Sequence, residues 1–134
     1  MDDAGFASLS VRGQVARLRP VALAALAHYP VEPARLRLLN HGFNTTFRID
    51  TTDGRRFALR LNVNSRRTAA NLAAEAAWLT ALAANTGLWV PTPQPARDGR
   101  LTTEVFSPDL GRSLPVALFF LAFLPQFVVP GAWP

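Results

Sequence analysis

The pair Asp53-Gly54, set between two runs of alternating polar and apolar residues, constrains this chain more than any other feature. Before it, in "TTFRID", Phe47 and Ile49 alternate with Thr46, Arg48 and Asp50. After it, in "FALRLNV", Phe57, Leu59 and Leu61 fall on one face and Ala58 and Arg60 on the other. Period-two alternation is the mark of a strand with one buried face. Asp-Gly supplies the positive backbone angle of a tight turn. Two such strands joined this closely must pair antiparallel.

The rest of the chain arranges itself around that hairpin. "RLRLLNHG" reads as a preceding short strand, joined to "TTFRID" by the loop "NHGFNTT". Residues 13–29 read as a helix in which Val15, Leu18, Ala22, Leu26 and Tyr29 recur at three- and four-residue steps, with a break or restart at Pro20-Val21. Residues 66–85 form the strongest helix, closed by a C-cap at Gly87. "VPTPQP" reads as an extended connector, and "DGRLTTEV" as another turn leading into a strand. The fold class expected is α+β: an antiparallel sheet with one long helix packed across a face, plus an N-terminal helix. Residues 1–12 are taken as a tail, 13–113 as the domain, and 114–134 as an apolar tail. That tail is either the last strand and hinge or frameshifted sequence.

Composition narrows the function classes. At 134 residues there is room for one modest core. There is no Cys, which removes disulfides and thiolate metal sites and fits a cytoplasmic chain. The net charge of +5 comes from fourteen Arg and no Lys. Those arginines are scattered, with pairs only at Arg55-Arg56 and Arg66-Arg67, so no dedicated nucleic-acid surface is expected. The apolar stretch Val116 to Leu124 is less than half of the roughly 20 residues a membrane-spanning helix needs. No membrane span is expected.

Three features carry chemistry, and each has a bland reading beside it. Gly42 in "NHGFNTT" lets backbone N–H groups approach an anion, or simply serves a turn. Arg60 stands on the strand face opposite Phe57, Leu59 and Leu61, facing either phosphates or water. Glu75 lies among Leu72, Ala76, Leu79 and Leu82 or Ala83, on the inward stripe of the long helix. A carboxylate there is costly unless a cation meets it, and Arg60, fifteen residues earlier, is the natural partner. Such a pair is either structural or part of a site. His28, Trp78 and Trp89 have structural readings: His28 at a helix end, Trp78 at the helix–sheet edge, Trp89 beside the proline connector.

A glycine-containing hairpin loop, a strand cation and a helix glutamate, in that order, follow the layout of a kinase small lobe. The segment from about Pro20 to Val105, roughly two-thirds of the chain, resembles the N-terminal lobe of the aminoglycoside phosphotransferase and homoserine-kinase-like family. The resemblance is carried by "RLRLLNHGFNTTFRID", "RFALRL", "AAEAAWLTAL" and "GLWVPTPQPARDG". It implies that His41, Gly42, Phe43, Asn44, Thr45 and Thr46 cover the phosphates of ATP, that Arg60 contacts them, and that Glu75 orients Arg60. It implies Mg2+ as cofactor and, as phosphoryl acceptor, a hydroxyl of a small metabolite or aminoglycoside. Many kinases have Lys where Arg60 stands, and a planar guanidinium is not equivalent to an ammonium.

The family's catalytic loop, of His-Gly-Asp type, has no counterpart: the two histidines are followed two positions later by Pro30 and Phe43. The chain is therefore expected to be a truncated member without catalytic residues or metal ligands of its own. The rival readings are a non-catalytic nucleotide-binding or interaction remnant and a basic nucleic-acid-binding domain. Phe119, Phe120 and Phe123 are expected to expose apolar surface and promote association through the C-terminal tail.

Overall fold

The computed structural model describes residues 2–63, 69–86 and 91–123. The predicted hairpin is formed by β2 (Thr45–Thr51) and β3 (Arg55–Leu61), antiparallel and in register from Thr45↔Leu61 to Asp50↔Arg56. Gly54 sits at φ 87°, the left-handed conformation such a three-residue link needs. Asp53 ties the turn down: its carboxylate accepts from the Thr51 hydroxyl and, at 2.8 Å, from Arg55 Nε. The Thr51 hydrogen bond, followed by contacts with Arg55, holds the Asp53 carboxyl below its usual range.

Upstream of the hairpin, β1 (Pro33–His41) pairs antiparallel with β2. Downstream, β6 (Arg112–Phe123) pairs antiparallel with β3. Two shorter strands, β4 (Thr92–Pro93) and β5 (Thr103–Ser107), line the far side of β6, giving a six-stranded sheet in the order β1-β2-β3-β6-β4, with β5 also on β6. The fold is thus α+β with an antiparallel sheet.

The main core lies on one face of this sheet. Phe47, Ile49, Phe57, Leu59, Leu61, Leu114, Val116 and Leu118 are all closed to solvent there. Against them pack Val15, Leu18, Val21, Ala22, Ala25 and Leu26 of α2 (Val11–Leu26), with Tyr29 just beyond. Each large apolar side chain buried this way contributes about 1.5–3 kcal/mol. α2 starts at Ser10, whose hydroxyl accepts from Gly13 N–H, and ends at Ala27, followed by His28. It does not break at Pro20. Pro20 and Ala16 are both exposed, so the Ala16 carbonyl that loses its partner is on the wet side of the helix. Residues Asp3–Ala7 form a short helix, α1, that buries Phe6.

The second long helix, α3 (Ala69–Asn85), serves the opposite face, where it buries Leu72 and Ala76. The helix that closes the main core is therefore α2 rather than the one with the stronger sequence signal. Trp78 is 63% exposed instead of packed at the helix–sheet edge. At about 100° per residue it stands roughly 120° round the helix from Leu72, off the inward stripe. The expected C-cap at Gly87, and Trp89, lie outside the described residues.

The apolar stretch from Leu114 runs as β6 as far as Phe123, between β3 on one side and β4 and β5 on the other. Phe119 is accordingly buried. Phe120 is partly buried, with its ring edge-on to Phe57 at 5.7 Å. Neither offers the open apolar surface anticipated for it. Among the described residues no helix is long and apolar enough to cross a membrane.

Candidate functional site

Strand alternation puts Ala58 and Arg60 of β3 on the face away from the main core. Cross-strand register sets Thr46 of β2 opposite Arg60, and Ala117 of β6 on its other side. α3 approaches this face, and Arg60 Nη2 meets Glu75 Oε1 at 3.0 Å, both side chains about four-fifths buried at 22% exposure. The pair predicted from the apolar stripe is present. Its guanidinium lies over the Phe119 ring, 5.2 Å from the centroid. This contact favours a delocalised cation in the position where many kinases have Lys. The small side chain of Ala58 leaves space beside the pair. A cavity of about 280 Å³ opens there, bounded by Thr46, Ala58, Arg60, Glu75, Leu79, Phe119 and Leu121.

This cavity has apolar walls and one ion pair at its edge, the form of a pocket that holds a flat ligand and grips a charge on it. Arg60 Nε is buried and donates to nothing among the described residues. A buried donor without a partner costs about 1–3 kcal/mol, and an anion entering the cavity would relieve it. The same sheet face is cationic beyond the cavity. Arg48 and Arg56 share Asp50, at 3.0 Å each, and Arg37 stands directly across from Arg48.

The loop between β1 and β2 has Gly42, Phe43 and Asn44 at its tip, closed by a Gly42 N–H to Asn44 carbonyl bond of 3.0 Å. Gly42 is not among the glycines at positive φ, and a Cβ added to it would meet nothing within 4 Å. The turn itself does not demand glycine there. Phe43 is exposed, and Asn44 Oδ1 is buried without a partner among the described residues.

Of the predicted site residues, Thr46, Arg60 and Glu75 come together at the cavity. The side chains of His41 and Thr45 do not. They turn to the α2 side, where His41 Nδ1 lies 2.7 Å from Thr45 Oγ1 and Nε2 lies 2.6 Å from Gln14 Oε1. The Gln14 amide NH2 points at the carbonyls of Phe6 and Leu9, at 3.2 and 3.3 Å, which only accept. Its oxygen must then accept from His41, so the imidazole carries its proton on Nε2 and Nδ1 accepts from Thr45. Gln14 thus ties the base of the loop to α1 and α2. Nothing in the sequence singled it out, since a helix glutamine is ordinary. Phe119 was missed as well, although the alternation of "VALFFLAF" puts it, with Ala117, on the Arg60 face.

An antiparallel sheet carrying a hairpin loop, a strand cation and its helix carboxylate defines the small lobe of a kinase-like phosphotransferase. The model of the phosphotransferase enzyme family matches residues 35–117, and the chain belongs to that family. Among solved structures it is similar to a microcompartment-associated aminopropanol kinase: 33% identity, TM-score 0.67, over 77% of this chain and 31% of that one. It shares the fold of the amicoumacin kinase hAmiN in complex with AMP-PNP, Ca2+ and Ami: 18% identity, TM-score 0.67, over 84% of this chain and 34% of that one. The chain spans about a third of the length of either. No curated protein sequence matches it.

Proposed function

We propose that this chain is the nucleotide-holding lobe of a small-molecule kinase and binds ATP between Arg60 and the loop of residues 41–46. The observation that carries this reading is the 3.0 Å Arg60–Glu75 pair at the edge of a cavity roofed by Ala58. In it Arg60 grips the phosphates and Glu75 keeps the guanidinium from swinging away. The tip residues Gly42, Phe43 and Asn44 lie over the phosphates, with open space where a Cβ of Gly42 would be. His41 and Thr45 hold the loop base through Gln14, and Thr46 lines the phosphate end.

The residues present fit a nucleotide, because Arg60 Nε has no acceptor among the described residues. They fit a resident metal less well: among the described residues no three His, Asp or Glu side chains gather. Mg2+ would arrive here on the nucleotide's own phosphates. The similar aminopropanol kinase makes a small amino alcohol the first acceptor to try with an assembled enzyme.

The test is calorimetric titration of Mg-ATP into the full chain. Arg60→Ala is expected to weaken binding by about tenfold or more, in line with the roughly 1.5–3 kcal/mol of a hydrogen bond to a charged group. Glu75→Gln should weaken it less, since the cation remains. Unchanged affinity in Arg60→Ala, with the fold intact by circular dichroism, would overturn the reading.

A further inference from the structure

We propose that the free edge of the sheet, β1 with the groove between it and α2, is a docking site for an extended partner segment. That segment alternates acidic and apolar residues and adds to the sheet as a strand. β1 stands at the end of the strand order, so among the described residues its outer main-chain groups have no neighbouring strand. Its pairing with β2 is regular over Arg35–Leu38 and irregular on both sides of that run. Within the run the two faces differ. Leu36 and Leu38 are set opposite Ile49 and Phe47 on the core side, while Arg35 and Arg37 are opposite Asp50 and Arg48 on the other.

The apolar side of this edge continues into a groove. Val11, Val15 and Leu38 line it, Arg12 and Arg19 stand at its rim, and its volume is about 600 Å³. Val11 is 62% and Leu39 52% exposed, so the edge is not simply a polar guard against sticking. The charge is one-sided. α2 and β1 together carry five arginines and no acid. Arg17 is paired with Asp109, and Arg19 donates to the Leu36 carbonyl at 3.3 Å. Arg12, Arg35 and Arg37 meet no carboxylate among the described residues.

These features select the occupant. A second copy pairing β1 to β1 would bring arginines against arginines, which is unfavourable across a strand pair. A lipid surface would meet the arginines but has no main chain to complete the strand edge. A strand whose acidic side chains face Arg35 and Arg37, and whose apolar ones lie over Leu36, Leu38 and the groove, satisfies charge, hydrogen bonds and apolar surface at once. It adds along the outer edge of β1, two strands away from Arg60 on β3.

The experiment titrates synthetic peptides into the isotope-labelled full chain, followed by amide shifts and fluorescence anisotropy. A peptide alternating glutamate and valine is expected to bind saturably and shift the amides of residues 35–38. Alternating lysine–valine and glutamate–glycine peptides should bind at least about tenfold more weakly, because each loses one of the two complementary faces. The Arg35→Glu/Arg37→Glu double variant should prefer the lysine–valine peptide, and the single Arg12→Glu variant on α2 should weaken the glutamate–valine peptide by a smaller factor. The proposal is overturned by absence of saturable binding, by equal affinity for the two glutamate peptides, or by indifference to both variants. Self-association through residues 35–38, or preferential binding to anionic phospholipid vesicles, would overturn it too.

Discussion

Tyr29 shows how a single side chain can set a measurable property of this protein. Its ring is fully buried beyond the end of α2, and its hydroxyl has no hydrogen-bond partner among the described residues. Burial, with the charge of Asp98 adding to it, pushes the phenol well above its ordinary value of 10.0. The folded state therefore keeps the proton while the unfolded chain releases it near pH 10. Stability is fully present below that pH and falls as pH rises above it. The chain has one Tyr, no Cys and no Lys, and Arg stays protonated to pH 12 or so, so an alkaline transition in this range has one source. Tyr29→Phe is expected to remove the alkaline loss. At neutral pH it should leave stability equal or raise it by about 1 kcal/mol, since an unsatisfied hydroxyl is deleted without a cavity. Denaturant melts at pH 7 and pH 11 check both parts. A clear loss at pH 7 would mean the hydroxyl has a partner after all.

At the scale of elements, α2 carries a defect it does not need for packing. Pro20 lies on the exposed side of a helix whose stripe of Val15, Leu18, Ala22 and Leu26 is continuous past it. Pro20→Ala restores a main-chain donor to the Ala16 carbonyl and a far better helix former, against a small entropic gain to the unfolded chain. It should raise unfolding free energy by roughly 1–2 kcal/mol in a urea melt; a loss would show that the proline packs or kinks in a way that matters. The same helix marks the limit of what the sequence made legible. Period-two alternation exposed β2 and β3 residue by residue, because only one face of each reaches the core. Glu75 was legible because one acid in an apolar stripe demands a cation, and Arg60 was on the right strand face. Which helix closes the core was not, since α2 and α3 both present an apolar stripe and only the sheet's handedness and loop lengths assign them to faces. The continuity through Pro20 and the Gln14–His41 tie depend on which carbonyl faces water and which amide meets a distant loop, and no local pattern reports either.

For the whole molecule, one face of the sheet supplies stability through α2 and the other holds a cavity and an ion pair. That division makes a definite statement about turnover. Phosphoryl transfer is largely positioning: metal ions bridge the phosphates, and a carboxylate orients the acceptor hydroxyl in line. Neither His of this chain begins a His-x-Asp, and past residue 98 the acids are Glu104 and Asp109. Asp109 is held 2.9 Å from Arg17, and Glu104 is on β5; neither lines the cavity beside Arg60. On the proposed reading such a lobe holds phosphates, and among the described residues the one carboxylate lining the cavity is Glu75, which is paired with Arg60. The purified chain is therefore expected to bind Mg-ATP, with the dependence on Arg60 argued above, yet transfer no phosphate to aminopropanol, choline or an aminoglycoside above background. Labelled ATP and product chromatography measure this directly, and binding by the same sample guards against a misfolded preparation. Robust transfer that disappears in Arg60→Ala would mean that the chain brings an acceptor to the phosphates by residues other than those a kinase normally uses.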